Sequence, residues 1–116
     1  MKKKFTLLQL FSLVDGRLST KMDDVYDMLN HICDTDLFTH HLPVAMSYLK
    51  EKNPKWFQEV EQRLTVIKAR LQSNTFETVI GYIKDNANDE YDIPQLKDEF
   101  NTSDFSKYMI DNSLLK

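Results

Sequence analysis

Asp34-Thr35-Asp36-Leu37-Phe38-Thr39-His40-His41-Leu42-Pro43 joins two segments whose apolar residues recur at helical spacing, and reading it as an elbow between helices decides the fold. Upstream, Met22, Val25, Tyr26, Leu29 and Ile32 follow steps of three and four, the mark of a helix with one buried stripe. Ser19 or Thr20 is the expected cap, and Asp23 and Asp24 sit in the first turn, where the helix dipole favours negative charge. That helix should end near Cys33. Downstream, Pro43 belongs in a first helical turn, where its missing N–H costs nothing. This third helix runs to about Glu51, with Val44, Tyr48, Ala45 and Leu49 inward, and Thr39 or a neighbour as its cap. Leu37 and Phe38 are expected to pin the elbow to the core, leaving His40 and His41 near the surface.

Toward the N-terminus, Thr6 can cap a first helix carrying Leu7, Leu8, Leu10, Phe11 and Val14, and Gly16 stands where a helix commonly ends. Toward the C-terminus, Asn53-Pro54 reads as a cap followed by a first-turn proline. The longest helix follows, to about Gln72, with Trp56, Phe57, Val60, Leu64, Ile67 and Leu71 inward, and Ser73-Asn74 closes it. Thr75–Ile83 is rich in β-branched and aromatic residues, and its alternation favours a strand over a helix. Lys3–Thr6 is the expected partner of that strand; otherwise its edge is open to another chain. Asp85–Asp92 reads as an acidic loop. Asp92 could cap a short helix Pro94–Phe100, and Thr102 or Ser103 a last one, Asp104 to about Leu114, with Phe105, Tyr108, Met109 and Leu115 inward. The expected fold is mainly α with a minor β part. It is a compact bundle of about five or six helices in a single domain, 1–116, with one short strand or hairpin near residues 75–83.

Composition narrows the function. The chain has 116 residues, 41% of them hydrophobic and 28% charged, with two glycines and one cysteine. One cysteine allows no internal disulfide and fits a reducing, cytoplasmic setting. No apolar run is long enough to span a bilayer, and the basic start Met1-Lys2-Lys3-Lys4 lacks the features of a secretory signal. The net charge of −3 is uneven: residues 15–49 and 85–116 are acidic, residues 50–84 basic. Direct nucleic-acid binding is disfavoured, because Asp23, Asp24 and Asp27 face outward on the helix that would read a groove. The basic face of the long helix (Lys55, Arg63, Lys68, Arg70) is interleaved with acids, as solvated faces are.

His31-x-Cys33 and His40-His41 supply metal-ligand types, but not the two short-spaced pairs that zinc sites use. Cys33 lies beside a buried stripe, with Asp34 and Asp36 opposing thiolate formation, so a buried hydrophobe is the better reading. There is no glycine-rich phosphate loop, and the acidic loop lacks the glycine and spacing of a calcium loop. No catalytic residue, metal or cofactor is expected. The remaining class is a binding module: Asp89, Glu90, Tyr91 and Asp92, with His40, His41 and Arg17, are the candidate contact residues. Tyr82, Tyr91, Phe100, Phe105 and Tyr108 either anchor a partner or complete the core. A homodimer is compatible with this reading.

Phe5-Thr6-Leu7, Gly16-Arg17-Leu18, Val25-Tyr26 with Leu29-Asn30, and Leu37-Phe38-Thr39-His40 with Leu42-Pro43 resemble a family of small uncharacterised proteins encoded by tailed bacteriophages and prophages. Asn74-Thr75-Phe76, Asp92-Ile93-Pro94, Leu96 and Glu99-Phe100 extend the likeness to about residue 100. The chain departs from the pattern in having no cysteine after Leu42-Pro43. The family has no assigned activity. The resemblance implies a phage accessory protein in a bacterial cell, of a kind that binds and blocks a host protein or nucleoprotein complex, including restriction and CRISPR defences. A small nucleic-acid-binding regulator is the rival reading.

Overall fold

The computed structural model describes residues 2–100 and 105–113. In chain order these form β1 (Lys3–Thr6), α1 (Leu7–Val14), α2 (Met22–Cys33), a 3-10 turn (Thr39–His41), α3 (Leu42–Lys52), α4 (Lys55–Leu71), α5 (Phe76–Asn86), β2 (Glu90–Ile93), α6 (Leu96–Glu99) and α7 (Phe105–Ser113). The fold is mainly α with one two-stranded sheet.

Thr6 starts α1 as a full capping box. Its hydroxyl accepts from the Gln9 N–H at 3.2 Å, and the Gln9 Oε1 accepts from the Thr6 N–H at 2.9 Å. Leu7, Leu10, Phe11 and Leu13 are buried. Gly16 follows at φ +94, a conformation glycine adopts without a Cβ penalty. Ser19 does not cap α2. Its hydroxyl donates to the Leu8 carbonyl, and its N–H to Ser12 Oγ at 2.9 Å, which ties the α1–α2 connection to α1. Lys21 is the residue before α2, with no side-chain cap.

The stripe of α2 is buried at Val25, Leu29 and Ile32, with Met28 added, while Met22 is exposed and Tyr26 half-buried. In α3 all four expected residues, Val44, Ala45, Tyr48 and Leu49, are buried. Asn53 closes α3 at φ 52 and is not the cap of α4; Pro54 holds that place, and the Asn53 carbonyl accepts from Gln58 Nε2 at 2.9 Å. The α4 stripe is buried from Trp56 to Ile67, with Leu71 half-buried.

The expected strand at 75–83 is the helix α5. Val79, Ile80 and Ile83 are buried, and α5 packs on α1 and α4. The same stretch satisfies both periods, since Phe76, Val79, Ile80 and Ile83 fall at i, i+3, i+4 and i+7. A helix also pairs its own backbone, whereas a lone strand would not. Lys3–Thr6 is a strand as expected, but its mate is Glu90–Ile93, in the stretch read as an acidic loop. The pairing is antiparallel, with Lys3 opposite Ile93, Lys4 opposite Asp92, Phe5 opposite Tyr91 and Thr6 opposite Glu90. Phe5 and Ile93 are buried, while Glu90 and Asp92 alternate outward. Gln95, not Asp92, precedes the short α6. Phe105 and Met109 of α7 are buried and Tyr108 half-buried, all three inward as expected; Thr102, Ser103 and Leu115 lie outside the described residues.

Buried side chains from Phe5 to Met109 form one continuous cluster. Within it α3 is packed on α2 on one side and on α7 on the other. Among the described residues no helix is long and apolar enough to cross a membrane.

Candidate functional site

The elbow between α2 and α3 is built from local hydrogen bonds. Asp34 ends α2 in the left-handed region at φ 53, and its carboxylate accepts from Lys97 Nζ at 2.7 Å and Gln95 Nε2 at 3.1 Å. Lys97 holds the Asp34 carboxyl below its ordinary pKa. The Leu37 N–H donates to Asn30 Oδ1 at 2.9 Å, and Leu37 packs on the core. Phe38 does not. Its N–H donates to His41 Nδ1 at 3.1 Å, its carbonyl accepts from the His41 N–H at 2.9 Å, and its ring projects outward, 69% exposed. The His40 and His41 rings lie 4.1 Å apart, and Phe38 stacks within 9° of His40. Tyr26 Oη and Thr39 Oγ1 are hydrogen-bonded, clamping the 3-10 turn to α2.

Beside the elbow lies a groove of about 540 Å³ between the α1–α2 connection, the start of α2 and the outer face of α3. Leu18, Met22, Val25, Leu42, Pro43 and Met46 make its lining apolar, and Thr39 brings the elbow to its edge. Thr35, Leu37 and His41 line a second, smaller depression with Ile110 of α7. Five large hydrophobic side chains stand exposed among the described residues. Leu18 (53%), Met22 (44%), Phe38 and Ile110 (55%) belong to the elbow or these two hollows, and Val66 on α4 is the exception.

The sequence-derived candidates divide. His40 and His41 do share the elbow. Asp89, Glu90, Tyr91 and Asp92 are not a free loop. The Asp89 carbonyl accepts from the Leu7 N–H at 2.8 Å, its carboxylate lies 3.7 Å from Arg63, and Asp92 is 3.3 Å from Lys4. Tyr91 is half-buried against the core. None of the four lines the groove. Arg17, partly exposed, is committed within its own chain: Nε and Nη2 donate to the Asp15 carboxylate at 2.6 and 3.1 Å, and Nη1 and Nη2 to Asn74 at 2.9 Å. Its guanidinium also lies over the Phe11 and Phe76 rings. Leu18, Met22 and Met46 line the groove and Phe38 stands exposed on the elbow, and periodicity marked none of them as surface candidates. An apolar Leu18 in a glycine-led loop, and a methionine at the exposed start of a helix, were the available signals.

Chemistry finds little purchase here. The His31 Nε2–H donates to the Ile93 carbonyl at 2.8 Å, and the ring packs on Phe5. Burial pushes the Cys33 thiol up to about 12, which leaves almost no thiolate at neutral pH. Among the described residues no three His, Cys, Asp or Glu side chains converge as metal ligands do.

A family model for a domain of unknown function, DUF7736, matches residues 5–63. The chain belongs to the DUF7736 family. The match runs from β1 into α4 and takes in the Gly16-Arg17-Leu18 turn, the elbow and every residue of the apolar groove. It stops short of α5, β2, α6 and α7, so the weaker likeness from Asn74 to Phe100 lies outside it. No curated protein and no solved structure matches the DUF7736 chain.

Proposed function

We propose that this DUF7736 protein works by binding another protein through the elbow and its apolar groove, without chemistry of its own. The observation that carries this reading is that exposed Leu18 and Met22 line the groove that Thr39 borders, with exposed Phe38 the residue before Thr39 on the elbow. Grooves lined by methionine adapt to apolar anchors of a partner, and hot spots sit in desolvated pockets of this kind. The partner, in this reading, is a bacterial host protein or nucleoprotein complex, and the outcome is inhibition of a defence system of the restriction or CRISPR type. The resemblance to small phage-encoded accessory proteins supports that context.

The test is capture from a bacterial host lysate by wild type, by Met46→Asp, by Phe38→Ala and by a triple variant Asp89→Lys, Glu90→Lys, Asp92→Lys. The proposal expects one partner retained by wild type and the triple variant, and lost by Met46→Asp and Phe38→Ala. Equal capture by all four would remove the groove from consideration. A salt-dependent shift of duplex DNA at micromolar protein, in place of a captured protein, would favour the nucleic-acid reading.

A further inference from the structure

The methionines among the described residues divide by position. Met28 of α2 is fully buried and Met109 of α7 nearly so. Met22 and Met46 instead both line the apolar groove, one from the first residue of α2 and the other from α3. Met22 is 44% exposed and Met46 half-buried. A thioether packs much as a leucine does, but its sulfur can take up an oxygen and become polar. The cysteine sulfur is withdrawn from the same chemistry. Peroxide attacks the thiolate, and Cys33 is half-buried with its thiol pushed up to about 12.

We infer that Met22 and Met46 make the groove a site of reversible oxidation by hydroperoxides, which turns its apolar lining polar and weakens the docking of an apolar surface there. In the forward step the Sδ lone pair attacks one peroxide oxygen. The S–O bond forms as the O–O bond breaks, and the second oxygen leaves as water with both protons. Sulfur gives up two electrons and the peroxide accepts them. Methionine sulfoxide reductases reverse the step with electrons from a thiol reductant. The groove has little to offer the new oxygen. Ser12, the buried hydroxyl of the lining, has its proton committed: Ser19 Oγ donates to the Leu8 carbonyl, so across the 2.8 Å contact between the two hydroxyls it is Ser12 that donates. Thr39 is bonded to Tyr26, and Ser47 is exposed. A sulfoxide covered by an apolar surface would therefore give up its water against a lining whose buried hydroxyl is already engaged, and an unpaired polar group out of water is costly. The consequence for a partner rests on the groove being the docking surface; the oxidation itself does not.

The test treats the full chain with hydrogen peroxide and maps the oxygen by fragment-ion mass spectrometry over time, with the apolar dye anilinonaphthalene sulfonate as the probe of the groove. Oxygen should enter Met22 first, Met46 next, and Met28 and Met109 several-fold more slowly. Dye affinity should fall several-fold while the helical circular dichroism holds, and reductase treatment should restore it. A Met22→Leu/Met46→Leu chain should bind the dye and keep binding it after peroxide. The inference is overturned if Met28 or Met109 oxidises as early as Met22, or if dye affinity survives oxidation of Met22 and Met46. It is equally overturned if affinity falls only as the circular dichroism is lost, if the leucine chain responds as wild type does, or if the untreated wild type binds no dye. Failure to capture a partner from lysate, with the expected results in place, would fall on the docking reading alone.

Discussion

Arg17 and Asn74, 57 residues apart in sequence, are joined by two hydrogen bonds of 2.9 Å, one to the Asn74 carbonyl and one to its side-chain oxygen. The guanidinium thereby fastens the turn after α1 to the connection between α4 and α5, while its other edge grips Asp15. Arg17→Ala should lower the urea midpoint of unfolding, because four hydrogen bonds lose their donor at once. Arg17→Lys should recover little of that, since an ammonium cannot serve two planar acceptors at once. Urea unfolding measures both; a Lys variant as stable as wild type would show that charge alone is at work.

Asp15 makes an acid-sensitive contribution. Burial alone would raise its pKa, but the hydrogen bonds from Arg17 and from Lys68 Nζ at 2.7 Å bring it down to about 2 from 3.8. A carboxyl depressed in the folded state stabilises fully above its unfolded pKa and loses that effect as pH falls through the folded value. Stability should therefore decline between about pH 5 and 2 in wild type, and decline less over that range in Asp15→Asn. Parallel pH profiles for the two proteins would contradict the assignment.

Cys33 should react slowly in the native protein. It is half-buried and burial raises its thiol to about 12, so a colorimetric thiol reagent at pH 8 should label it more slowly in the native chain than in denaturant. Rapid native labelling would mean that the end of α2 opens readily.

Gly81 lies in the middle of α5, and a Cβ added there would meet nothing within 4 Å. Gly81→Ala should accordingly stabilise by about 0.5–1 kcal/mol, by reducing the backbone freedom lost on folding. A loss of stability on thermal or urea unfolding would count against the open surroundings.

The elements legible in the sequence are those written locally. Thr6 with Gln9, the stripe from Val25 to Ile32, Pro43, and the run from Trp56 to Ile67 each announce a helix within a few residues. Where two periods coincide, as in Phe76–Ile83, only the packing of Val79 and Ile83 decides between them. β2 was hidden because its outward Glu90 and Asp92 read as loop, and its mate lies at the other end of the chain. The site divided along the same line. His40 and His41 sit together because they are adjacent, whereas Leu18, Met22 and Met46 meet only once three elements have packed. Arg17 read as a contact candidate because one of its two acceptors, Asn74, is far away in sequence.

The β1–β2 pairing also sets a timetable for synthesis. Thr6 faces Glu90, so β1 emerges from the ribosome 84 residues before its mate, a wait of roughly 4–17 s at about 5–20 residues per second. During that interval Lys3 and Lys4 precede Phe5 in a segment that lacks its mate, and lysine on a bare strand discourages edge-to-edge pairing. The same two lysines that later stand opposite Ile93 and Asp92 thus act first as guards, and the closing of the sheet becomes a late step of vectorial folding.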